Sequence, residues 1–276
     1  MPIGVFDSGL GGLTVLGALR AALPAQEFIY FGDNANAPFG TRGADEIYDL
    51  TCKGVARLFG EGCDLVILAC NTASAVALRR LQEQWLPVTA PERRVLGVFV
   101  PVIETLTGRP WAYDGPPAPA AVSRVALFAT PATVASDAFP RELRLRASGL
   151  TVTQQACPGL VDALEAGDDA GASALVRGFC EAVRARCAEP EVAVLGCTHY
   201  PLVESAFRAA LAPAVRLISQ PRIVAESLGD YLHRHPRFAA ESGGLRLLTS
   251  GDPALVDQGV EKFLGDRARF EPAGPP

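Results

Sequence analysis

Short apolar runs of strand length alternate along this chain with longer stretches whose apolar positions recur at helical spacing. That alternation is the signature of βαβ units in which helices cover a mainly parallel sheet. Strands are predicted over residues 3–6, 27–31, 65–69, 95–98, 125–129, 192–196 and 245–249, and helices over 45–59, 72–84, 170–187 and 202–212. The fold class is therefore α/β. Between residues 107 and 123, Gly108, Pro110, Gly115, Pro116, Pro117 and Pro119 exclude an interior strand or helix and predict a loop or linker before a second domain. The tail, residues 271–276, is expected to fray.

The pattern also repeats. Ile3-Gly-Val-Phe-Asp-Ser8 is echoed by Val125-Ala-Leu-Phe-Ala-Thr130, and Leu65-Val-Ile-Leu-Ala-Cys70-Asn-Thr by Val192-Ala-Val-Leu-Gly-Cys197-Thr-His. The offsets, 122 and 127 positions, are similar and fall in the same order. The chain thus reads as two related, pseudo-symmetric α/β halves, each carrying one cysteine at the carboxyl end of a strand.

Composition narrows the class further. With 276 residues, 49% of them hydrophobic and 20% charged, the chain can bury two sizeable cores, which excludes a disulfide-stapled module and global disorder. A net charge of -5 lacks the basic footprint of a protein whose main partner is a phosphate backbone, so nucleic acid is not expected as the primary partner. No apolar run is long enough for a membrane span, and the start carries no secretory pattern. The expected location is cytoplasmic, where the seven cysteines stay reduced. Only Lys53 and Lys262 are lysines, the other 23 basic residues being arginines, and neither lysine lies in a glycine-rich or phosphate-binding context. Schiff-base chemistry with pyridoxal phosphate is thereby disfavoured.

In open α/β sheets, ligands bind outside the carboxyl ends of strands, and Cys70 and Cys197 both fall there. Asn71-Thr72 and Thr198-His199 follow them, small hydrogen-bonding residues suited to capping a helix and to aiming backbone N–H groups at an anion. A helix end also lowers a thiol pKa from about 8.5, so a carboxylate ligand and a reactive thiolate are both expected at these positions. Two halves facing one another would present their thiols to opposite sides of a ligand, an arrangement suited to inverting a carbon that bears a weakly acidic hydrogen. Cys52, Cys63, Cys157, Cys180 and Cys187 lack the matched contexts and read as small core hydrophobes. Metal binding has little support: there is no C-x-x-C, and Cys197-Thr-His199 alone is a poor ligand set. His233 and His235 read as a solvated helix end. The segment Asp7-Ser-Gly-Leu-Gly-Gly-Leu-Thr14 fails both the G-x-G-x-x-G and the P-loop patterns and reads as an Asx-type turn leading into a helix.

Several motifs appear together in a known order. Asp7-Ser-Gly-Leu-Gly-Gly, Gly32-Asp33 with Pro38-Phe-Gly40, Ala69-Cys-Asn-Thr-Ala-Ser74, Ala129-Thr130, Cys157-Pro158 with Glu165-Ala-Gly167, and Gly196-Cys-Thr-His-Tyr-Pro201 span residues 3 to about 230. The chain resembles the glutamate racemases of the cofactor-independent aspartate/glutamate racemase superfamily, and the Cys-Asn-Thr and Cys-Thr-His pair is the specific part of the match. The resemblance implies interconversion of L- and D-glutamate for peptidoglycan synthesis, with no metal or organic cofactor, in a homodimer. It implies two α/β domains around an inter-domain cleft, the first discontinuous over residues 1–98 and 208–276, the second covering 99–207. It places catalytic thiols at Cys70 and Cys197, assisted by Asp7, Glu165 and His199. Substrate binding would fall to Asp7, Ser8, the Phe39-Gly40 backbone, Asn71, Thr72, Thr198 and His199, with Thr130 contributing. Phe39 departs from the family's usual tyrosine, Ser219-Gln220-Pro221 replaces a common acidic element, Asn36 is atypical, and the proline-rich segment looks like an insertion.

Other readings stay open at this point. Within the fold, a racemase of another amino acid such as aspartate, a hydantoin-type racemase or a single-thiol decarboxylase would share the motifs. From other classes come a non-catalytic binding or inhibitory protein using the same cleft, and a thiol-redox protein, the last disfavoured by the lack of a neighbouring resolving cysteine.

Overall fold

Strands form where apolar side chains run continuously, because such segments can be buried on both faces only by pairing in a parallel sheet covered by helices. The computed structural model describes residues 1–110, 113–187, 189–240 and 243–274. Its strands are β1 (Ile3–Asp7), β2 (Phe28–Gly32), β3 (Leu65–Leu68), β4 (Arg94–Gly97), β5 (Ala118–Pro119), β6 (Arg124–Ala129), β7 (Ala147–Ser148), β8 (Thr151–Ala156), β9 (Val192–Gly196), β10 (Arg216–Ser219), β11 (Leu245–Thr249) and β12 (Phe270–Pro272). A six-stranded sheet has the order β12-β11-β2-β1-β3-β4, and a four-stranded sheet the order β10-β9-β6-β8. All of these pairings are parallel. Taken from its other edge, the smaller sheet runs β8-β6-β9-β10 and matches β2-β1-β3-β4 strand for strand. The internal echo in the sequence is thus a repeat of topology.

Each sheet carries a core on both faces. Along β6, Val125, Leu127 and Ala129 belong to one core while Ala126 and Phe128 belong to the other. Along β1, Ile3 and Val5 face one core and Phe6 the opposite one. Helices Leu13–Ala22, Gln220–Arg234 and Pro253–Leu264 cover one face of the large sheet, and Ala44–Gly60 covers the other. Among the described residues no helix is long and apolar enough to cross a membrane.

The structure corrects the sequence reading at the edges. Strand β10 pairs with β9 in the smaller sheet, and the helix Gln220–Arg234 that follows it packs in a core of the larger one. The helix Glu204–Ala210 likewise packs in the second unit's core through Phe207. Strands β8, β10 and β12 are additions, each at a sheet edge where a strand needs less apolar content. The sequence of β8 is Thr-Val-Thr-Gln-Gln-Ala, and no residue of it is fully buried. Residues 271 and 272 are therefore held in β12 by pairing with β11, where fraying was expected. The predicted helix 72–84 is a succession of shorter turns, Asn71–Val76, Leu78–Arg80, a π-helical turn Leu81–Trp85, and Leu86–Thr89 with a proline in its first turn. In the proline-rich segment the helix Phe99–Thr107 ends on Gly108 at φ 65°, and two residues form the bridge β5 to β7. Trp111 and Ala112 of that segment lie outside the described residues.

Candidate active site

The carboxyl ends of β1 and β3 face those of β6, β8 and β9 across a cleft that opens to solvent. One wall comes from the first unit. Cys70 ends the segment after β3 and caps the helix Asn71–Val76, its Sγ accepting from the Ala73 N–H at 3.4 Å and donating to Ser8 Oγ at 3.5 Å. Burial pushes this thiol up to about 12, with the Asp7 carboxylate adding to the rise and the hydrogen bonds with Ala73 and Ser8 opposing it. The expectation of a thiol pKa lowered by the helix end is therefore reversed at Cys70: loss of water and a neighbouring carboxylate outweigh one short helix. Asp7 is fully buried and lies behind the wall, its Oδ2 accepting from the Gly9 N–H at 3.0 Å in the expected Asx-type turn. Burial raises its pKa, His199 pulling the other way. Asn71 lines the cleft with its buried Nδ2 and Oδ1 outside any protein hydrogen bond.

The other wall comes from the second unit. Cys197 follows β9, with its Sγ 3.9 Å from His199 Nδ1. His199 Nε2 in turn meets Glu165 Oε1 at 2.9 Å. Burial pulls the imidazole pKa down, but the bonds to Cys197 and Glu165 and their charges prevail and hold it up at about 10. The cleft thus carries opposite fields on its two sides, a carboxylate behind Cys70 and an imidazolium beside Cys197.

Contacts between the units close the ends of the cleft. Thr72 Oγ1 and Thr130 Oγ1 are 2.9 Å apart, and both bond Thr133 Oγ1. Gly40 lies against Thr130, where an added Cβ would meet Thr130 Cβ at 3.0 Å. On the far side Thr14 Oγ1 donates to the Thr198 carbonyl at 2.9 Å. Among the described residues no three His, Cys, Asp or Glu side chains cluster as metal ligands.

Comparison with known proteins agrees with this geometry. The sequence profile of the Asp/Glu/Hydantoin racemase family matches residues 13–228. A glutamate racemase of Paracoccus denitrificans (strain Pd 1222) is 58% identical over 273 residues, spanning 99% of this chain and all of that relative. The chain belongs to the Asp/Glu/Hydantoin racemase family. Two solved members share its fold. A glutamate racemase isoform from Bacillus anthracis superposes with a TM-score of 0.85 at 27% identity, covering 98% of this chain and 96% of that one. The glutamate racemase of Francisella tularensis in complex with D-glutamate gives 0.83 at 26% identity, covering 98% and 95%.

For this member of the racemase family, the structure brings Ser8, Phe39, Gly40, Cys70, Asn71, Thr72, Thr130, Glu165, Cys197, Thr198 and His199 onto one cleft. Asp7 alone of the expected residues stands back from it. Two capping expectations change: Cys70 itself caps its helix, and His199 leads into a 3₁₀ turn, Tyr200–Val203, without a side-chain cap. Phe39 packs against Phe6 with ring centroids 6.2 Å apart, so its ring belongs to the core and its backbone to the cleft. Sequence reasoning missed Gly11. A Cβ there would stand 2.4 Å from both His199 Nδ1 and Thr198 Oγ1, and the glycine-rich turn was the available signal. It also missed Cys157, which lines the cleft although its buried thiol is pushed far above the ordinary range.

Proposed function

We propose that this chain interconverts L- and D-glutamate by two-base proton transfer at the α-carbon, using its own side chains and no cofactor, and that the D-glutamate formed supplies peptidoglycan synthesis. The observation that carries the reading is the presence of Cys70 and Cys197 on opposing walls of one cleft, in unlike electrostatic surroundings. Two-base inversion needs one group charged and one protonated at the start. Cys70, buried beside Asp7, is assigned the S–H, and Cys197, beside the His199 imidazolium, the thiolate.

In the forward step the Cys197 thiolate takes the α-proton from one face, and the electron pair left on carbon delocalises into the carboxylate. Cys70 then gives its S–H proton to the opposite face. The products are the inverted amino acid, a Cys197 thiol and a Cys70 thiolate, which is the pair required for the reverse direction. Asn71, with a buried donor and acceptor, together with Ser8, Thr72, Thr198 and the Phe39-Gly40 backbone, would hold the substrate's carboxylates and ammonium. Asp7 acts from behind the wall through its charge on Cys70. A homodimer and a cytoplasmic location belong to the same proposal, and light scattering at twice the 29.0 kDa chain mass checks the first.

Polarimetry with glutamate, aspartate and glutamine tests the reading, run in deuterium oxide with proton NMR at the α-carbon. Glutamate is expected to be inverted fastest, with solvent deuterium entering the product. Cys70→Ala and Cys197→Ala should each lower turnover at least ~10³-fold, the scale of a lost acid or base. Near-normal inversion by either variant would remove the two-thiol assignment, and tight binding of glutamate without turnover would favour a non-catalytic binding protein.

A further inference from the structure

We propose that Lys262 and Phe263, in the last turn of the helix Pro253–Leu264, are positioning residues for the His199–Glu165 pair, so that the first unit's C-terminal helix aligns an acid–base assembly carried by the second. The proposal rests on the two-thiol reading above. Lys262 Nζ donates to the Leu164 carbonyl at 2.5 Å, and Leu164 immediately precedes Glu165, whose Oε1 meets His199 Nε2. The ring of Phe263 meets the imidazole edge-on, with centroids 5.2 Å apart and planes at 82°. Of two adjacent residues of one helix, one therefore touches His199 itself and the other the backbone just before Glu165.

The arrangement has a physical rationale. The Glu165 side chain is 45% exposed, so its own surroundings do little to fix it. It closes the short helix Leu160–Glu165, and a cation at the carbonyl end of that helix is a favourable tether. Phe263 is itself anchored with Val256 and Val260 in the core under the large sheet, which makes it a rigid stop for the imidazole. A flexible stem with a point charge suits a single carbonyl, and Lys262 is one of only two lysines among 25 basic residues. The titratable groups facing His199 are Cys197, Glu165 and Asp7, and none belongs to the C-terminal helix.

The test compares Lys262→Met, Lys262→Arg and Phe263→Leu with the unaltered protein. Lys262→Met is expected to lower kcat about tenfold while KM changes less than about twofold, the signature of misalignment and not of lost substrate contacts. The primary isotope effect with α-deuterated glutamate should rise for one enantiomer only, the one deprotonated by Cys197. Lys262→Arg should recover most of the loss. An imidazole nitrogen NMR titration of His199 should shift down by about one pH unit in Lys262→Met, and more weakly in Phe263→Leu. Isotope effects that rise equally in both directions, or an unmoved His199 titration, would overturn the proposal. Should the unaltered protein fail to invert glutamate, the racemase reading falls, while the His199 titration still decides the positioning role.

Discussion

His199 keeps its proton at a pH where an ordinary histidine has lost it. Held at about 10 in the folded chain by Cys197 and Glu165, against the pull of burial, it binds a proton more tightly folded than unfolded, where about 6.5 applies. The sign follows from linkage. This contribution to stability is fully present below about pH 6.5 and is lost progressively as the pH rises toward about 10, with a slope of up to ~1.4 kcal/mol per pH unit. Urea unfolding at a series of pH values should therefore show stability falling across that window, and His199→Gln should flatten the slope. Glu165→Gln should flatten part of it, because the Cys197 contact survives. The same substitutions should lower kcat about 10²-fold by removing the cation beside Cys197. The sequence could place His199 two residues beyond a candidate thiol, but the sign of the Cys70 shift was beyond it. That sign comes first from burial of the thiol in the cleft wall, and Asp7, 63 positions away in the chain, adds to it because β1 and β3 lie side by side.

At the scale of elements, function sits where strands end and tight turns begin. The turn after β1 brings Gly11 so close to the second unit that a methyl group would lie 2.4 Å from His199 Nδ1 and Thr198 Oγ1. Gly11→Ala is expected to cost about 1–3 kcal/mol by overpacking. Activity should fall further than thermal stability accounts for, because the groups that must give way, His199 and Thr198, both line the cleft; kcat and Tm measured together separate the two effects. The seven continuous apolar runs were legible as strands because both their faces are buried. The edge strands β8, β10 and β12 were not; in β8, for example, Thr151-Val-Thr-Gln-Gln-Ala carries almost no apolar signal. The internal repeat held the missing information: shifting β2 and β4 by 122 or 123 positions lands on the starts of β8 and β10. Cys70, Asn71, Thr72, Cys197, Thr198 and His199 were legible because each follows a strand end within one motif, whereas Ser8, Phe39, Gly40, Thr130 and Glu165 were expected only from the family resemblance. Lys262 and Phe263 were not, because nothing local marks a helix from the far end of the chain as a neighbour of Glu165.

The two sheets are linked where the chain passes near residues 98 and 219, and their relative placement decides whether two thiols can address one carbon. A buried charge cluster on the outer side of this junction ties them together. Glu142, in the second unit's helix Ala138–Arg144, accepts from Arg79 Nη2 at 2.7 Å across the junction and from Arg146 Nη1 at 3.0 Å within its own unit. The Glu142 and Arg146 side chains are only 7% and 6% exposed, whereas Arg79 is 48% exposed. Removing the buried carboxylate weakens its bonds to two guanidiniums at once, a loss of about 1–3 kcal/mol, while losing the half-exposed partner costs under ~1 kcal/mol. Glu142→Gln should thus destabilise the protein strongly and Arg79→Met only slightly, as read from urea midpoints at constant m. Arg79 belongs to the helical run that starts at Asn71, directly after Cys70, so a loosened junction shifts one wall of the cleft against the other. In Arg79→Met, KM for glutamate should rise while solvent deuterium still enters the product, because binding draws on both walls at once and each proton transfer needs only its own sulfur.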